Sequence, residues 1–462
     1  MGTEQTNVDA KAYIAEYVKR ARTAQSQFEN YSQEETDRAV CAIGRAIHDN
    51  AELLAKMAAE ETHMGNAFDK TVKNKSKARI IWNSLKGKQS KGILDRDPVT
   101  GITRIAKPVG VVAAITPVTN PIVTPMSNSM FALKGGNAII ITPHHNSVKC
   151  SSKAVELINA ELKKLGLPEN LVQIIDRQSR ENTKELISSA DVVNATGGMG
   201  MVKAAYSSGK PALGVGTGNI QCIIDDDADI ADAVPKIIAG RAFDYGIICS
   251  AEQSVICTEM RFDAVMKEFE RHGACVIKDA KERDLLRDAI FTGGEVNRHA
   301  VGQSAQTVAK LAGVIIPDDV KIIVIPAEGT GEADLLGKEK MCPVLAAYRS
   351  SDFKTSVEIA KRNLEAEGKG HSVCIHSNNK ANIEYAGLAL SVSRFVINQI
   401  CANSDGGSFY NGLNPTNTLG CGSWGNNSIS ENLTYTHLIN VSRIAEYMPN
   451  NHVPTDEELW TL

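Results

Sequence analysis

The spacing of apolar residues predicts two amphipathic helices within residues 8–62. The residues spaced as on one helix face are Ile14, Tyr17, Val18 and Ala21 in the first helix, and Val40, Ile43 and Ile47 in the second. Ser32 and Glu35 form a capping-box pattern just before the second group. The chain is therefore expected to begin with helices.

From residue 109 onward, short β-rich runs alternate with helical segments. The runs are 109–115, 138–142, 171–176, 192–195 and 220–224. A long helical segment, 147–166, separates the second run from the third. This alternation predicts a parallel sheet with helices on both faces. Such a sheet opens a ligand crevice at the carboxyl ends of its strands.

The acidic run 225–229 interrupts this pattern, and a second α/β region follows to about residue 420. Its predicted helices and strands are helices 228–239 and 261–272 and strands 321–325, 343–348 and 394–398. The pattern therefore divides the chain into an α/β region over 1–224, a second over 225–425, and a tail over 426–462.

Composition narrows the functional class. With 462 residues, the chain is about two to three times the usual domain size. A formal charge of −4 disfavours nucleic acid as a partner, because nucleic-acid binding needs a basic surface. The 10 cysteines show no C-x-x-C spacing, and neither a signal peptide nor a run of 18 apolar residues is evident. We therefore expect a soluble cytoplasmic protein with reduced thiols.

Glycine turns offer two places where a nucleotide or substrate could approach the backbone. The turn after the first run, Thr116-Pro117-Val118-Thr119-Asn120-Pro121, lacks the G-x-G-x-x-G fingerprint. Gly197 and Gly198 end a strand and open a helix, so their N–H groups could meet a pyrophosphate, although a purely geometric turn fits equally well. A second glycine run begins at Gly214.

Cys249 is the candidate nucleophile. It follows Gly246, Ile247 and Ile248 in a turn and precedes a polar run. A thiol attacks as its thiolate, which requires a partly exposed, electropositive or N–H-rich setting. The alternative is a small buried apolar residue, the common state of a free cysteine.

Taken in order, several motifs resemble one family over roughly residues 8–455. They are the Thr-x-x-Thr-Asn-Pro turn at 116–121, the glycine turns at 197 and 214, the segment 246–254 around Cys249, Glu-Lys-Met-Cys-Pro-Val at 339–344, and the stretches 419–425 and 428–434. This set is similar to the CoA-acylating branch of the aldehyde dehydrogenase superfamily. The resemblance implies two doubly wound α/β domains plus a small β oligomerisation element. In these terms 1–224 binds the cofactor, 225–425 carries the nucleophilic cysteine, and 426–462 holds a return helix and the oligomerisation strand.

The resemblance also implies a mechanism. The Cys249 thiolate adds to an aldehyde, hydride leaves for NAD or NADP, and the thiol of CoA attacks the resulting enzyme thioester. Asn120 matches the side chain that, with the backbone N–H of the cysteine, stabilises the oxyanion. His371 matches a histidine that assists the CoA thiol.

One departure separates this chain from hydrolytic relatives. Those enzymes carry a glutamate that activates water, and the comparable residue here is Ala212. Alanine cannot take a proton, and losing general-base help costs on the order of 10²- to 10⁴-fold. We therefore expect a thiol, rather than water, to attack the thioester.

Cofactor contacts follow from the same resemblance. Glu339 matches the residue that holds the nicotinamide ribose, and the segment 142–149 matches the adenine side. The expected cofactor-binding residues are Thr116, Pro117, His144, Ser147, Lys149, Thr196, Gly197, Gly198, Gly214 and Glu339. Ser147 or Lys149 could hold a 2′-phosphate, which leaves NAD and NADP both open. No metal is expected, because strand alternation explains the spacing of His371, Cys374 and His376.

Overall resemblance implies succinate semialdehyde as the aldehyde, with Arg241 and Arg394 as weak candidates for its carboxylate. The alternatives are acetaldehyde, propionaldehyde or butyraldehyde as substrate, a hydrolytic aldehyde dehydrogenase, or a non-catalytic binding protein of the same fold. The resemblance also implies a homodimer or dimer of dimers, in which the strand near 438–445 lies beside a hairpin at 92–106.

Overall fold

The computed structural model describes residues 2–461 as helices packed around two parallel sheets, with a three-stranded and a two-stranded antiparallel sheet beside them. The helices α1 to α16, in chain order, are Gly2–Phe28, Gln33–Asp49, Ala51–Thr62, Ala67–Leu85, Val123–Lys134, Val148–Lys164, Arg180–Ser189, Met199–Tyr206, Ile230–Ala242, Glu259–Arg271, Ala280–Ile290, Ala305–Ala312, Phe353–Ala366, Lys380–Ala389, Cys401–Ser404 and Asp456–Trp460. The strands β1 to β17 are Gly92–Asp97, Ile102–Pro108, Val111–Ile115, Ala138–Thr142, Val172–Ile174, Val192–Thr196, Ala212–Val215, Ile220–Ile224, Glu252–Thr258, Ala274–Val276, Phe291–Thr292, Glu295–Val296, Ile322–Pro326, Val344–Ser350, Gly370–His376, Val392–Ile397 and Ile439–Ala445.

The first parallel sheet has the order β5-β4-β3-β6-β7. Every residue of β3 and β4 is buried, as expected for strands covered by helices on both faces. One apolar cluster joins this sheet to the N-terminal helices. The predicted α/β fold with parallel sheets is confirmed.

The second parallel sheet, ordered β10-β13-β14-β9-β8-β15-β16, corrects the placement of one strand. The sequence analysis put the run 220–224 in the first domain. In the structure this run is β8, and it pairs with β9 and β15. The chain therefore passes from the first sheet to the second at residues 216–219, and apolar clusters cover both faces of the second sheet.

A three-stranded antiparallel sheet, ordered β1-β2-β17, brings the hairpin and the late strand together. Ala106 of β2 pairs with Gly92 on one side and Val441 on the other. The return helix expected within 426–462 is not present as one element. That segment contains a single 3-10 turn, Tyr435–Leu438, and the five-residue α16.

The N-terminal region contains more helices than its apolar pattern predicts. Two helices were expected within 8–62, and the structure has α1, α2 and α3 there. The capping box is confirmed, with Ser32 Oγ accepting from Glu35 N at 3.2 Å. A further helix, α4, escaped the sequence analysis because lysines occupy part of its buried face. Within residues 2–461, no helix has both the length and the apolar character needed to cross a membrane.

Candidate active site

Cys249 lies in the turn between a short 3-10 segment, Phe243–Gly246, and strand β9. Three of the 10 cysteines are partly exposed: Cys249 in this turn, Cys41 within α2, and Cys275 within β10. Cys249 is thus the partly exposed cysteine that a turn presents. Its partial exposure is one of the features that a nucleophilic thiol requires, whereas burial and nearby carboxyl groups raise its pKa.

A buried ion cluster holds the approach to this turn. Asp244 and Tyr245 both have left-handed backbone angles, with φ of 51° and 53°. The Asp244 carboxylate accepts hydrogen bonds from Lys70 Nζ at 2.9 Å and Lys73 Nζ at 2.7 Å, and all three groups are buried. Left-handed conformations of non-glycine residues persist only where surrounding contacts impose them. The two lysines of α4 thereby fix the turn that ends at Cys249.

The backbone and three side chains enclose Cys249. Val215 at the end of β7, Leu419 and Cys421 form a small apolar cluster against it. Gly218 packs so closely that a Cβ there would lie 2.1 Å from the Cys249 carbonyl oxygen. The second glycine run therefore allows a close approach between two backbone segments, where the chain crosses between the sheets.

The charges around Cys249 keep its thiol protonated in the free protein. Burial raises the pKa of Cys249, and the carboxyl groups of Asp405 and Glu339 raise it further. Arg394 opposes this effect. Ionisation of the thiol at neutral pH consequently requires a change in the site, such as the binding of ligands that alter its local charge.

Asn120 lies in the turn between β3 and α5, where its backbone carbonyl accepts from Thr124 N at 3.2 Å. Its side chain is half-buried, and its amide makes no hydrogen bond to the side chains described for residues 9–461. The loop that contains Leu419 reaches the same place, because Asn417 Nδ2 donates to Val123 O at 2.9 Å. An amide N–H is thus available beside the loop that packs on Cys249.

His371 is fully buried at the start of β15. Its Nδ1 lies 3.1 Å from Ser372 Oγ and 3.8 Å from an Asp405 carboxylate oxygen, whereas Nε2 is buried without a partner. Burial and the nearby Arg394 hold the pKa of His371 well below 6.5. Its imidazole is therefore neutral, so one ring nitrogen can accept a hydrogen bond.

The two arginines considered for a substrate carboxylate are committed elsewhere. Arg241 is fully buried and donates to the carbonyls of Glu252 and Cys342. Arg394 is also buried, and its three nitrogens donate to groups of the protein: Ser372 Oγ, Gly420 O, Asn432 Oδ1 and His371 O. Both side chains therefore join segments of the protein, and their contact with a substrate carboxylate stays a prediction.

Glu339 lies near the nucleophile and is almost completely buried. Burial raises its pKa to about 8, and the charge of Glu367 adds to this rise. The Glu339 backbone N–H donates to Glu367 Oε2 at 2.7 Å. A carboxyl group with this pKa changes its charge close to neutral pH.

The glycine turn at the end of β6 is open. A Cβ on Gly197 or Gly198 would meet nothing within 4 Å, and Gly198 is the N-cap of α8. The neighbouring Thr196 hydroxyl lies 3.1 Å from that of Thr418. Gly214 differs, because Tyr206 and Val202 leave its Cβ only 2.8 Å of room and the Tyr206 hydroxyl binds its backbone N and O. Packing explains why position 214 is a glycine, and the cofactor contact expected there stays a prediction.

The proposed adenine-side residues lie around the ends of β3 and β4. Thr116 is buried with an unpartnered hydroxyl, and the half-buried Pro117 follows it. His144 Nδ1 accepts from Asn146 N, and Ser147 Oγ donates to His144 O at 3.1 Å. Lys149 is exposed. An unpredicted contact joins this region to α3, since Glu61 accepts from the backbone N–H groups of Lys149 and Cys150.

The structure groups Cys374 and His376 with Cys222, and not with His371. These three side chains are buried on β8 and β15, with their ligand-type atoms within 4.8 Å of one another. Ala212, which stands where hydrolytic relatives have a glutamate, lies buried at the start of β7. Its carbonyl accepts from Ser428 Oγ at 2.6 Å.

Two charged residues near Cys249 were missed by the sequence analysis. Asp405 is buried beside His371 and Ser372, and Lys77 extends from α4 toward the loop that follows Asp405. Nothing in the local sequence marks Asp405. The lysine spacing of Lys70, Lys73 and Lys77 is readable as one helix face once α4 is recognised.

Comparisons with known proteins agree with this architecture. The model of the aldehyde dehydrogenase family matches residues 4–431. The chain is 53% identical to the succinate-semialdehyde dehydrogenase (acetylating) of Clostridium kluyveri, over 97% of the chain and 98% of that protein. It is 40% identical to a sulfoacetaldehyde dehydrogenase of Acholeplasma sp, over 97% and 93%. The crystal structure of an acetylating aldehyde dehydrogenase from Geobacillus thermoglucosidasius superposes with a TM-score of 0.93 at 36% identity, covering 98% of this chain and 99% of that one.

Proposed function

Because the chain belongs to the acylating aldehyde dehydrogenase family, and is thus an NAD(P)-dependent oxidoreductase acting on aldehydes, we propose that it interconverts succinate semialdehyde and succinyl-CoA. The observation that supports a covalent mechanism is the placement of Cys249. Cys249 is partly exposed in a turn. Its backbone packs closely against Gly218, and its side chain packs against the loop containing Leu419. The substrate is favoured by the 53% identity to a relative named for it.

In the proposed reaction, Cys249 sulfur bonds to the aldehyde carbon and the thiol proton leaves the site. The resulting oxyanion accepts hydrogen bonds from the Asn120 amide and a backbone N–H. Bound NAD(P)⁺ would supply the hydride acceptor, and loss of hydride from the former aldehyde carbon would leave a thioester on Cys249. The sulfur of CoA then displaces Cys249, giving acyl-CoA and the free thiol.

His371 is proposed to accept the proton of the CoA thiol. Its neutral imidazole has an unpartnered Nε2, and Nδ1 is oriented by Ser372. The low pKa of His371 keeps this nitrogen unprotonated at neutral pH. Ala212 cannot act as a general base that activates water, so the thioester should react with CoA faster than with water.

Glu339, Gly197, Gly198 and Lys149 are proposed to contact the cofactor. The open N–H groups at the start of α8 suit a pyrophosphate, and Glu339 suits ribose hydroxyls. Either cofactor is compatible with this set, because Lys149 is exposed and Ser147 already donates to His144 O.

We also propose that β17 pairs with a partner subunit. This strand occupies one edge of the three-stranded sheet, and only β2 pairs with it among the described strands. An exposed strand edge presents unpaired backbone groups that favour association. A homodimer or dimer of dimers would result.

The test is the formation of reduced cofactor by purified protein, with NAD⁺ or NADP⁺, in the presence and absence of CoA. Succinate semialdehyde, sulfoacetaldehyde and butyraldehyde are compared. The account expects CoA-dependent turnover, with succinate semialdehyde having the highest kcat/KM. A higher value for sulfoacetaldehyde, the substrate in the name of the 40% identical relative, would replace the succinyl assignment. Turnover without CoA would exclude the acylating reaction.

A further inference from the structure

Three lysines of α4 occupy one face of the helix. Lys70, Lys73 and Lys77 are spaced three and then four residues apart, so their side chains lie above one another. Lys70 and Lys73 are 3% and 8% exposed, and Lys77 is half-buried. A row of lysines turned toward the interior is unusual, because buried charges need counter-ions.

Counter-ions are shared unevenly along this row. Lys70 and Lys73 both bind the Asp244 carboxylate. Lys77 Nζ donates only to two backbone carbonyls, Gly406 O at 3.1 Å and Thr416 O at 3.4 Å. Among the side chains of residues 9–461, no carboxylate lies at ion-pair distance from it. Of the three N–H donors of an ammonium group, one is left for another acceptor.

Lys77 binds a loop that reaches the nucleophile, and it lies close enough to Cys249 for the two charges to interact. Gly406 and Thr416 bound a loop whose ends lie against Cys249: Ala402 O accepts from Ser250 Oγ at 3.1 Å, and Leu419 packs on Cys249 itself. The same helix reaches the oxyanion turn, where Lys73 and Asn120 line one small cavity. Burial lowers the pKa of Lys77, while the charges of Asp405 and Cys249 raise it.

We propose that Lys77 binds the terminal carboxylate of the aldehyde substrate and thereby selects acidic over uncharged aldehydes. This inference rests on the proposed function. Arg241 and Arg394 are less suited to this role, because both are buried, at 0% and 2% exposed, and donate to carbonyl groups of the protein. A substrate carboxylate would complete the hydrogen bonds of Lys77 and supply the missing counter-ion, and such charge-assisted bonds are stronger than neutral ones.

A purely structural role for Lys77 predicts something different. If the ammonium group only joins the carbonyls of Gly406 and Thr416, its loss disturbs the loop for every aldehyde alike. If its charge only favours the Cys249 thiolate, all aldehydes again slow together. Carboxylate binding alone changes the ratio between charged and uncharged substrates of the same chain length.

The experiment measures kcat/KM for succinate semialdehyde and for butyraldehyde in the wild type, Lys77→Met and Lys77→Arg. Lys75→Met is the matched control, because Lys75 lies on the same helix but pairs with Glu52. For Lys77→Met we expect the ratio of the two constants to fall about 10- to 100-fold, the loss of one hydrogen bond to a charged group. Lys77→Arg, which keeps the charge, should recover part of the ratio, and Lys75→Met should match the wild type.

An unchanged ratio in Lys77→Met would overturn the inference while leaving the proposed function intact. A wild type that prefers butyraldehyde would overturn both. Thermal unfolding verifies that each variant is folded, and Lys77→Gln, which retains a donor for Gly406 O, replaces Lys77→Met if that variant does not fold. The same ratio, with the same expected fall, is then decisive.

Discussion

Gly218 lies directly against the backbone of Cys249, so that a methyl group on its Cα would come within 2.1 Å of the Cys249 carbonyl oxygen. The backbone atoms of Cys249 cannot move aside as the end of a flexible side chain can. The position of the nucleophile therefore depends on a residue in the segment that links the two parallel sheets.

Substituting Gly218→Ala should displace the Cys249 turn and lower kcat by about 100-fold, because a shift of about 1 Å in a reacting group has that effect. Steady-state kinetics with succinate semialdehyde and CoA measure it. Gly387→Ala is the control, since a Cβ there meets nothing within 4 Å. If Gly218→Ala keeps the activity of the control, the contact does not position Cys249.

Asp244 is expected to stabilise the fold by neutralising Lys70 and Lys73. Burial raises the pKa of Asp244, but the two lysines outweigh it and hold the pKa below its ordinary value. Asp244→Asn leaves two buried cations unpaired and should destabilise the protein by about 3 kcal/mol or more. Asparagine tolerates the left-handed backbone, so the change isolates the charge.

The measurement is the midpoint of urea unfolding at neutral pH. Asp232→Asn provides the comparison, because its pair with Lys236 is exposed and should contribute less than about 1 kcal/mol. The contribution of Asp244 is present above the ordinary carboxyl pKa and is lost as the pH falls through the lower folded value. Equal midpoints for the two variants would contradict this account.

Cofactor affinity should depend on pH through Glu339. Its pKa is about 8, so the carboxyl group is mostly protonated at pH 7 and mostly ionised at pH 9. If the carboxylate accepts hydrogen bonds from ribose hydroxyls, affinity for NAD(P)⁺ should rise by about tenfold over that range, following the ionised fraction. Glu339→Gln, which cannot ionise, should flatten the profile.

Titration of the cofactor by equilibrium binding at several pH values tests this directly. Because folding raises the pKa of Glu339, the stability of the free protein should fall as the pH rises from the ordinary carboxyl pKa toward 8. A profile that is equally steep in Glu339→Gln would assign the pH dependence to another group.

The sequence predicts the strands of both sheets better than it predicts which sheet each strand joins. Residues 220–224 are correctly identified as a strand, now β8. Every residue of β8 is buried, as in β3 of the other sheet, so apolar content cannot distinguish the two sheets. The difference lies in pairing with β9 and β15, which are contributed by later parts of the chain.

The site shows the same limit for charged residues. Cys249 is recognisable from its turn, but Lys70 and Lys73 resemble ordinary surface lysines until Asp244, more than 170 residues away, is seen to pair with them. Arg241 and Arg394 resemble substrate ligands until their carbonyl partners are known. Counter-ions and carbonyls that come from distant segments leave no local pattern.

The central claim is that the reaction passes through a thioester on Cys249 that CoA, and not water, resolves. Mass spectrometry of the protein mixed with succinate semialdehyde and NAD(P)⁺, without CoA, tests this most directly. We expect one succinyl group on the peptide containing Cys249, no adduct in Cys249→Ser, and conversion of the adduct to succinyl-CoA when CoA is added. Release of succinate without CoA, with Cys249 left unmodified, would contradict the claim.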